Sequence, residues 1–140
     1  MSENQPPPAI NPMPPVVTAL FLVIALVEFI FLMESYGLFG GQGGSSLRVN
    51  AIESYAVNTA LLAWMIENQN YPLGHLARFV SYSFIHVSTL QAAVACALFL
   101  AMGKMVGSVF SAVSVLLVFA LSAALGAIAF CLVQPEGGWL

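Results

Sequence analysis

Residues 108–133 read SVFSAVSVLLVFALSAALGAIAFCLV, a run without an Asp, Glu, Lys or Arg. At about 1.5 Å of rise per residue, a helix of this length exceeds the roughly 30 Å hydrocarbon core of a bilayer. A helix hides its own backbone polar groups from lipid, so residues 108–133 read as a membrane span. Within it Ser122 and Gly126, Ala120 and Ala124, and Ala123 and Ala127 stand four apart. Each pair shares a helix face and lets a second helix approach closely. Ser122, Gly126, Ala123 and Ala127 are therefore the expected helix-packing residues.

Moving towards the amino terminus, residues 103–107 (GKMVG) read as a short turn, and residues 79–102 as another span, long enough to cross with some tilt. The polar residues of that span, Ser81, Ser83, His86, Ser88, Thr89 and Gln91, crowd its first half. Polar groups in lipid need internal partners, so this half should face protein or a water-filled cavity. A long connection, residues 34–77, precedes it. Its Gly-rich opening, GLFGGQGGSS, reads as a flexible loop. Asn50 and Glu53 then have the spacing of an N-cap and its acid, and Ile52, Tyr55, Thr59, Leu62 and Ile66 recur at helical intervals. The pattern predicts an amphipathic helix over 51–67, either lying at the membrane interface, where Trp64 and Tyr71 are at home, or packing on the other spans.

The first span is residues 16–33, VVTALFLVIALVEFIFLM, about 27 Å as a helix, with Pro14 and Pro15 at its start. Its one charge is Glu28. A carboxylate costs about 2.5–3.5 kcal/mol at a bilayer centre and less towards a helix end. Glu28 must therefore reach the interface, or make an intramembrane polar contact with a neighbouring helix or partner subunit. Residues 1–15, MSENQPPPAINPMPP, lack a signal-peptide pattern, and their prolines predict an extended arm.

Composition agrees with three spans. Of 140 residues 60% are hydrophobic and 6% charged, and mean hydropathy is +0.93. Soluble domains carry roughly a quarter charged residues, so the solvent for most of this chain is lipid, which excludes a cytosolic enzyme. Three basic side chains against six acidic ones leave no cationic surface for nucleic acid. The absence of Asp removes a Ser-His-Asp triad within these residues. Cys96 and Cys131 sit in apolar runs and read as packing residues. His75, His86 and Glu67 match no metal-ligand spacing, so neither a metal nor a cofactor is expected. Lys104 in the expected turn and Arg48 and Arg78 in or beside the long connection give opposed votes on orientation.

From Arg78 to His86 the chain reads RFVSYSFIH, and an Ala- and Leu-rich run follows into LAMGKMVG. This order resembles rhomboid intramembrane proteases and their inactive relatives. Arg78 matches the Arg of the family's Trp-Arg pair and His86 the His that follows it. The fold implied is the first three helices of the rhomboid domain, with interfacial helices in the long first loop. That loop would lie outside and the amino terminus in the cytoplasm. The chain departs from the family at Ala77, in place of Trp, and at Gln91 and Ala95, in place of a His-x-x-x-Asn pair. In the family that pair donates hydrogen bonds to the oxyanion, an effect worth about 2.7–4 kcal/mol per donor in hydrolases. Gln91 retains a donor; Ala95 has none. The family's Gly-x-Ser-Gly nucleophile turn does not occur among these residues.

The reading is an all-α, rhomboid-like membrane protein that is non-catalytic and binds another integral membrane protein. The expected setting is an accessory or assembly subunit of a complex in the bacterial inner membrane. The competing reading is a rhomboid-type serine protease whose Ser and His lie beyond residue 140. Ser83 and His86, three apart, would share a helix face as a minimal hydroxyl–imidazole pair, but they lack an orienting acid. A transporter is weaker still, because nothing suggests an inverted repeat.

Overall fold

The computed structural model describes residues 12–38, 46–134 and 140. The expected Pro-rich arm, most of the Gly-rich loop and most of QPEGGWL lie outside the described residues. Among the described residues six α-helices follow one another: α1 (Pro15–Ser35), α2 (Leu47–Tyr55), α3 (Thr59–Glu67), α4 (Leu73–Ser81), α5 (Thr89–Gly107) and α6 (Ala112–Val133). A 3-10 turn, Tyr82–Phe84, follows α4 directly. α1, α5 and α6 are long and apolar enough to cross a membrane. Leu22, Leu26, Leu98, Leu121 and Leu132 on these helices are each more than half exposed, a surface suited to lipid. The protein is an all-α membrane protein with three candidate spans.

Local chemistry sets where the helices begin and end. Pro15 opens α1 because its fixed φ suits the first helical position, where a missing N–H has no partner to lose. α1 closes in a Schellman arrangement. Gly37 takes φ +78°, its N–H donates to the Glu34 carbonyl at 2.8 Å, and the Leu38 N–H donates to the Met33 carbonyl at 3.2 Å.

Residues 79–102 are not one helix. The polar cluster read as half of a span ends α4, forms the 3-10 turn and caps α5. At Ser88 the backbone is extended (φ −143°, ψ 155°), and its Oγ accepts from the Gln91 N–H at 3.3 Å. The Gln91 side-chain oxygen in turn accepts from the Val87 N–H at 3.1 Å. These reciprocal bonds restart the helix at Thr89, in the manner of a capping box. The same helix runs through Gly103 to Gly107, residues expected to form the turn. Ser111 then caps α6 by accepting from the Ser114 N–H at 3.2 Å, so that helix starts at Ala112 rather than at 108.

Residues 51–67 also divide in two. Ser46, not Asn50, is the N-cap of α2, its side chain accepting from the Val49 N–H at 3.3 Å. Asn58 caps α3, its side-chain oxygen accepting from the Ala60 N–H at 2.7 Å. Between the two helices Ala56 and Val57 are driven inside, at 2% and 0% exposure.

Two packing centres hold the bundle. In one, α1 lies against the end of α5, and the two glycines there make the approach feasible. A Cβ on Gly103 would stand 2.6 Å from Val17 Cγ1, and one on Gly107 would stand 2.8 Å from Pro14 Cγ. Lipid is as apolar as a helix surface, so close van der Waals fit of this kind is what favours helix association. In the other, Val57, Met65, Phe79, Ala127 and Cys131 join α3 and α4 to α6. The Tyr82 hydroxyl donates to the Ala123 carbonyl at 2.9 Å, tying the 3-10 turn to α6.

Candidate functional site

Glu28 has a partner inside the chain. The Arg48 guanidinium of α2 meets its carboxylate through both terminal nitrogens, Nη2 to Oε1 at 2.6 Å and Nη1 to Oε2 at 3.1 Å. Nη1 also donates to the His86 carbonyl, and Nη2 to Thr89 Oγ1 at 3.4 Å. The guanidinium carbon stands 4.8 Å from the ring centroid of Phe31, which is buried in α1. One cation thus joins α1, α2 and the entry to α5. The Arg48 and Glu28 side chains are 18% and 13% exposed, so the fork-to-fork geometry and the extra acceptors are needed to offset the loss of water. The sequence pattern marks Glu28 but not its partner. The available signal was arithmetic: an acid inside a span needs a cation, and the long connection carries Arg48.

His86 is half-buried on the extended link before α5. Burial pushes its pKa below the ordinary 6.5; Arg48 adds to the shift and Glu28 opposes it. The Ser83–His86 helix face does not form, because the backbone extends at Ile85 (φ −118°, ψ 128°) between them. Ser83 Oγ is shielded and without a hydrogen-bond partner. Arg78 caps the end of α2. Its Nη1 donates to the Glu53 carbonyl at 3.1 Å, one of the last carbonyls of α2, which has no partner within that helix. Ser81 Oγ donates nearby to the Tyr55 carbonyl at 3.1 Å.

Gln91 and Ala95 lie in the first two turns of α5. The Gln91 amide oxygen is engaged by the Val87 N–H, and the Ala95 side chain offers no hydrogen-bond donor. Ser88, missed as a cap, could have been found from the spacing Ser88-Thr89-Leu90-Gln91, which is the capping-box signature.

The small residues of α6 separate into two uses. Ala123 and Ala127 are buried within the chain, whereas Ser122 and Gly126 are exposed. Ser122 lines a groove of about 400 Å³ between α5 and α6, walled by Phe99, Met102, Val118 and Phe119 and with Ser83 in its lining. A Cβ on Gly126 would stand 3.2 Å from the Tyr82 hydroxyl. Among the described residues there is no group of three His, Cys, Asp or Glu side chains arranged to hold a metal.

Three apolar helices joined by a long first loop of short helices define a polytopic membrane protein. Residues 73–140, which include α4 to α6 with Arg78, His86, Gln91 and Ala95, match the Rhomboid domain family. The chain is a rhomboid-like membrane protein. Neither a curated protein nor a solved structure matches it.

Proposed function

We propose that this is a non-catalytic rhomboid-like protein that binds another integral membrane protein along the groove between α5 and α6. The observation that carries the non-catalytic half is at the amino-terminal end of α5. The resemblance assigns oxyanion donors to Gln91 and Ala95; Ala95 has none, and Gln91 keeps its amide donor only on a side chain whose oxygen is held by the Val87 N–H at the start of its own helix. Losing one such donor, as at Ala95, costs a hydrolase about 2.7–4 kcal/mol in transition-state stabilisation.

The binding half rests on the groove. It is apolar and runs beside small residues at Gly103 and Ser122. A transmembrane helix packed there would find close backbone approach. An accessory or assembly role in a bacterial inner-membrane complex is the setting this reading implies.

The test is site-specific photocrosslinking in native membranes. A benzoylphenylalanine at Met102 or Val118, both groove residues, should yield one protein adduct of a single mass. The same probe at Leu22, on the lipid-facing side of α1, should yield none. Adducts to lipid alone at Met102 and Val118 would contradict the reading. The protease reading keeps one observation in its favour, the family match itself. It requires a Ser and a His supplied outside residues 1–140.

A further inference from the structure

The helix α2 is attached to the bundle in an unusual way for an apolar protein. It contributes no buried residue, and Leu47, Val49 and Tyr55 are each more than 40% exposed. What holds its first turn is polar. Leu47 N–H donates to Glu34 Oε1 at 2.6 Å, and Arg48 reaches Glu28, the His86 carbonyl and Thr89. Its far end is different. There Ala56 and Val57 are buried, and Arg78 and Ser81 of α4 donate to the Glu53 and Tyr55 carbonyls.

We propose that α2 is a strap hinged at Ala56–Asn58 and latched by Arg48, able to leave the bundle while the three spans stay assembled. A forked guanidinium–carboxylate contact with several acceptors is made or lost within about an ångström, which gives two discrete states. Two latch partners, Glu28 and Thr89, also wall a cavity of about 260 Å³ between α1 and α5, together with Ala25, Phe29 and Cys96. Opening the strap therefore turns a carboxylate and a hydroxyl from the guanidinium towards that cavity.

The test is hydrogen exchange on the full chain in lipid nanodiscs, read separately over residues 47–55, α1 and α5. Arg48→Met leaves Glu28 uncompensated, so it should loosen both the strap and α1. The double variant Glu28→Gln/Arg48→Met removes that burden. In it, exchange over 47–55 should rise on the order of tenfold to a hundredfold, the worth of one or two charge-assisted hydrogen bonds. Exchange in α1 and α5 should stay at the wild-type level. Arg48→Lys should fall between the wild type and Arg48→Met. The proposal is overturned by unchanged exchange over 47–55 in the double variant, or by a rise there matched in α1 and α5.

Discussion

Replacing Gly103 with Val tests the contact that joins the first span to the second. The Cβ alone would stand 2.6 Å from Val17 Cγ1 and 3.3 Å from Cγ2, where ordinary contacts begin at 3.4 Å. Val17 cannot turn aside. It is fully buried at 0% exposure, and a β-branched side chain in a helix keeps one χ1 rotamer about nine times in ten. Tilting α1 away is opposed one turn further on, where Gly107 faces Pro14 with similar closeness. Overpacking costs about 1–3 kcal/mol, and the two extra methyls of Val place the change at the upper end. Against this stands a gain of a few tenths of a kcal/mol, because Val is a better helix former than Gly. The net expectation is a loss of about 2–3 kcal/mol. Unfolding by SDS titration from dodecyl maltoside, followed by circular dichroism, reads it directly. Val17→Ala opens space at the same point, so the double variant should recover at least about 1 kcal/mol relative to the sum of the two single changes. A Gly103→Val protein as stable as the wild type, or slightly more so, would mean that only propensity is at work and that α1 does not pack there. Strict additivity with Val17→Ala would refute the contact just as firmly.

Three further expectations share that assay or a thermal version of it. Ser88→Ala should cost about 1 kcal/mol as a lost N-cap, and Gln91→Ala should be nearly silent once Ser88 is gone, since the two bonds form one cap. Gly37→Ala should cost about 1 kcal/mol, because a φ of +78° disfavours any side chain. The folded chain holds the His86 pKa below 6.5 while the unfolded chain titrates at its ordinary value. The unfolded state therefore binds more protons as pH drops, and this contribution to stability is complete above about 6.5 and is lost below it. The melting temperature should decline over that interval in the wild type and less steeply in His86→Gln.

The spans were legible from sequence because a bilayer asks for length and apolarity, which composition displays without reference to any distant residue. α1 and α6 accordingly fall close to the expected runs. Their termini are less legible, since capping by Ser46, Ser88 and Ser111 is decided by a single hydroxyl. Ser88 and Gln91 are visible as polar residues, but polarity alone does not separate half of a span from the cap that restarts one. Gly103 and Gly107 show the deeper difficulty. Glycine serves both turns and close helix contacts, and the side chains that distinguish the two uses, Pro14 and Val17, belong to another helix far earlier in the chain. Glu28 likewise announced a need for a partner, while Arg48 lies across a Gly-rich connection that carries no register. For the site, the resemblance marks Arg78 and His86 as matches to the family motif and Gln91 and Ala95 as departures from it. Their local duties, capping α2 and α5 and accepting from Arg48, follow only from the folded backbone.

The proposed function of this rhomboid-like scaffold is binding rather than peptide hydrolysis. Labelling the natural protein in its own membranes with a fluorophosphonate, beside a transmembrane reporter substrate, separates the two activities. The expected result is no serine adduct and an intact reporter. A stoichiometric adduct together with reporter cleavage, both lost in His86→Ala or Gln91→Ala, would contradict it.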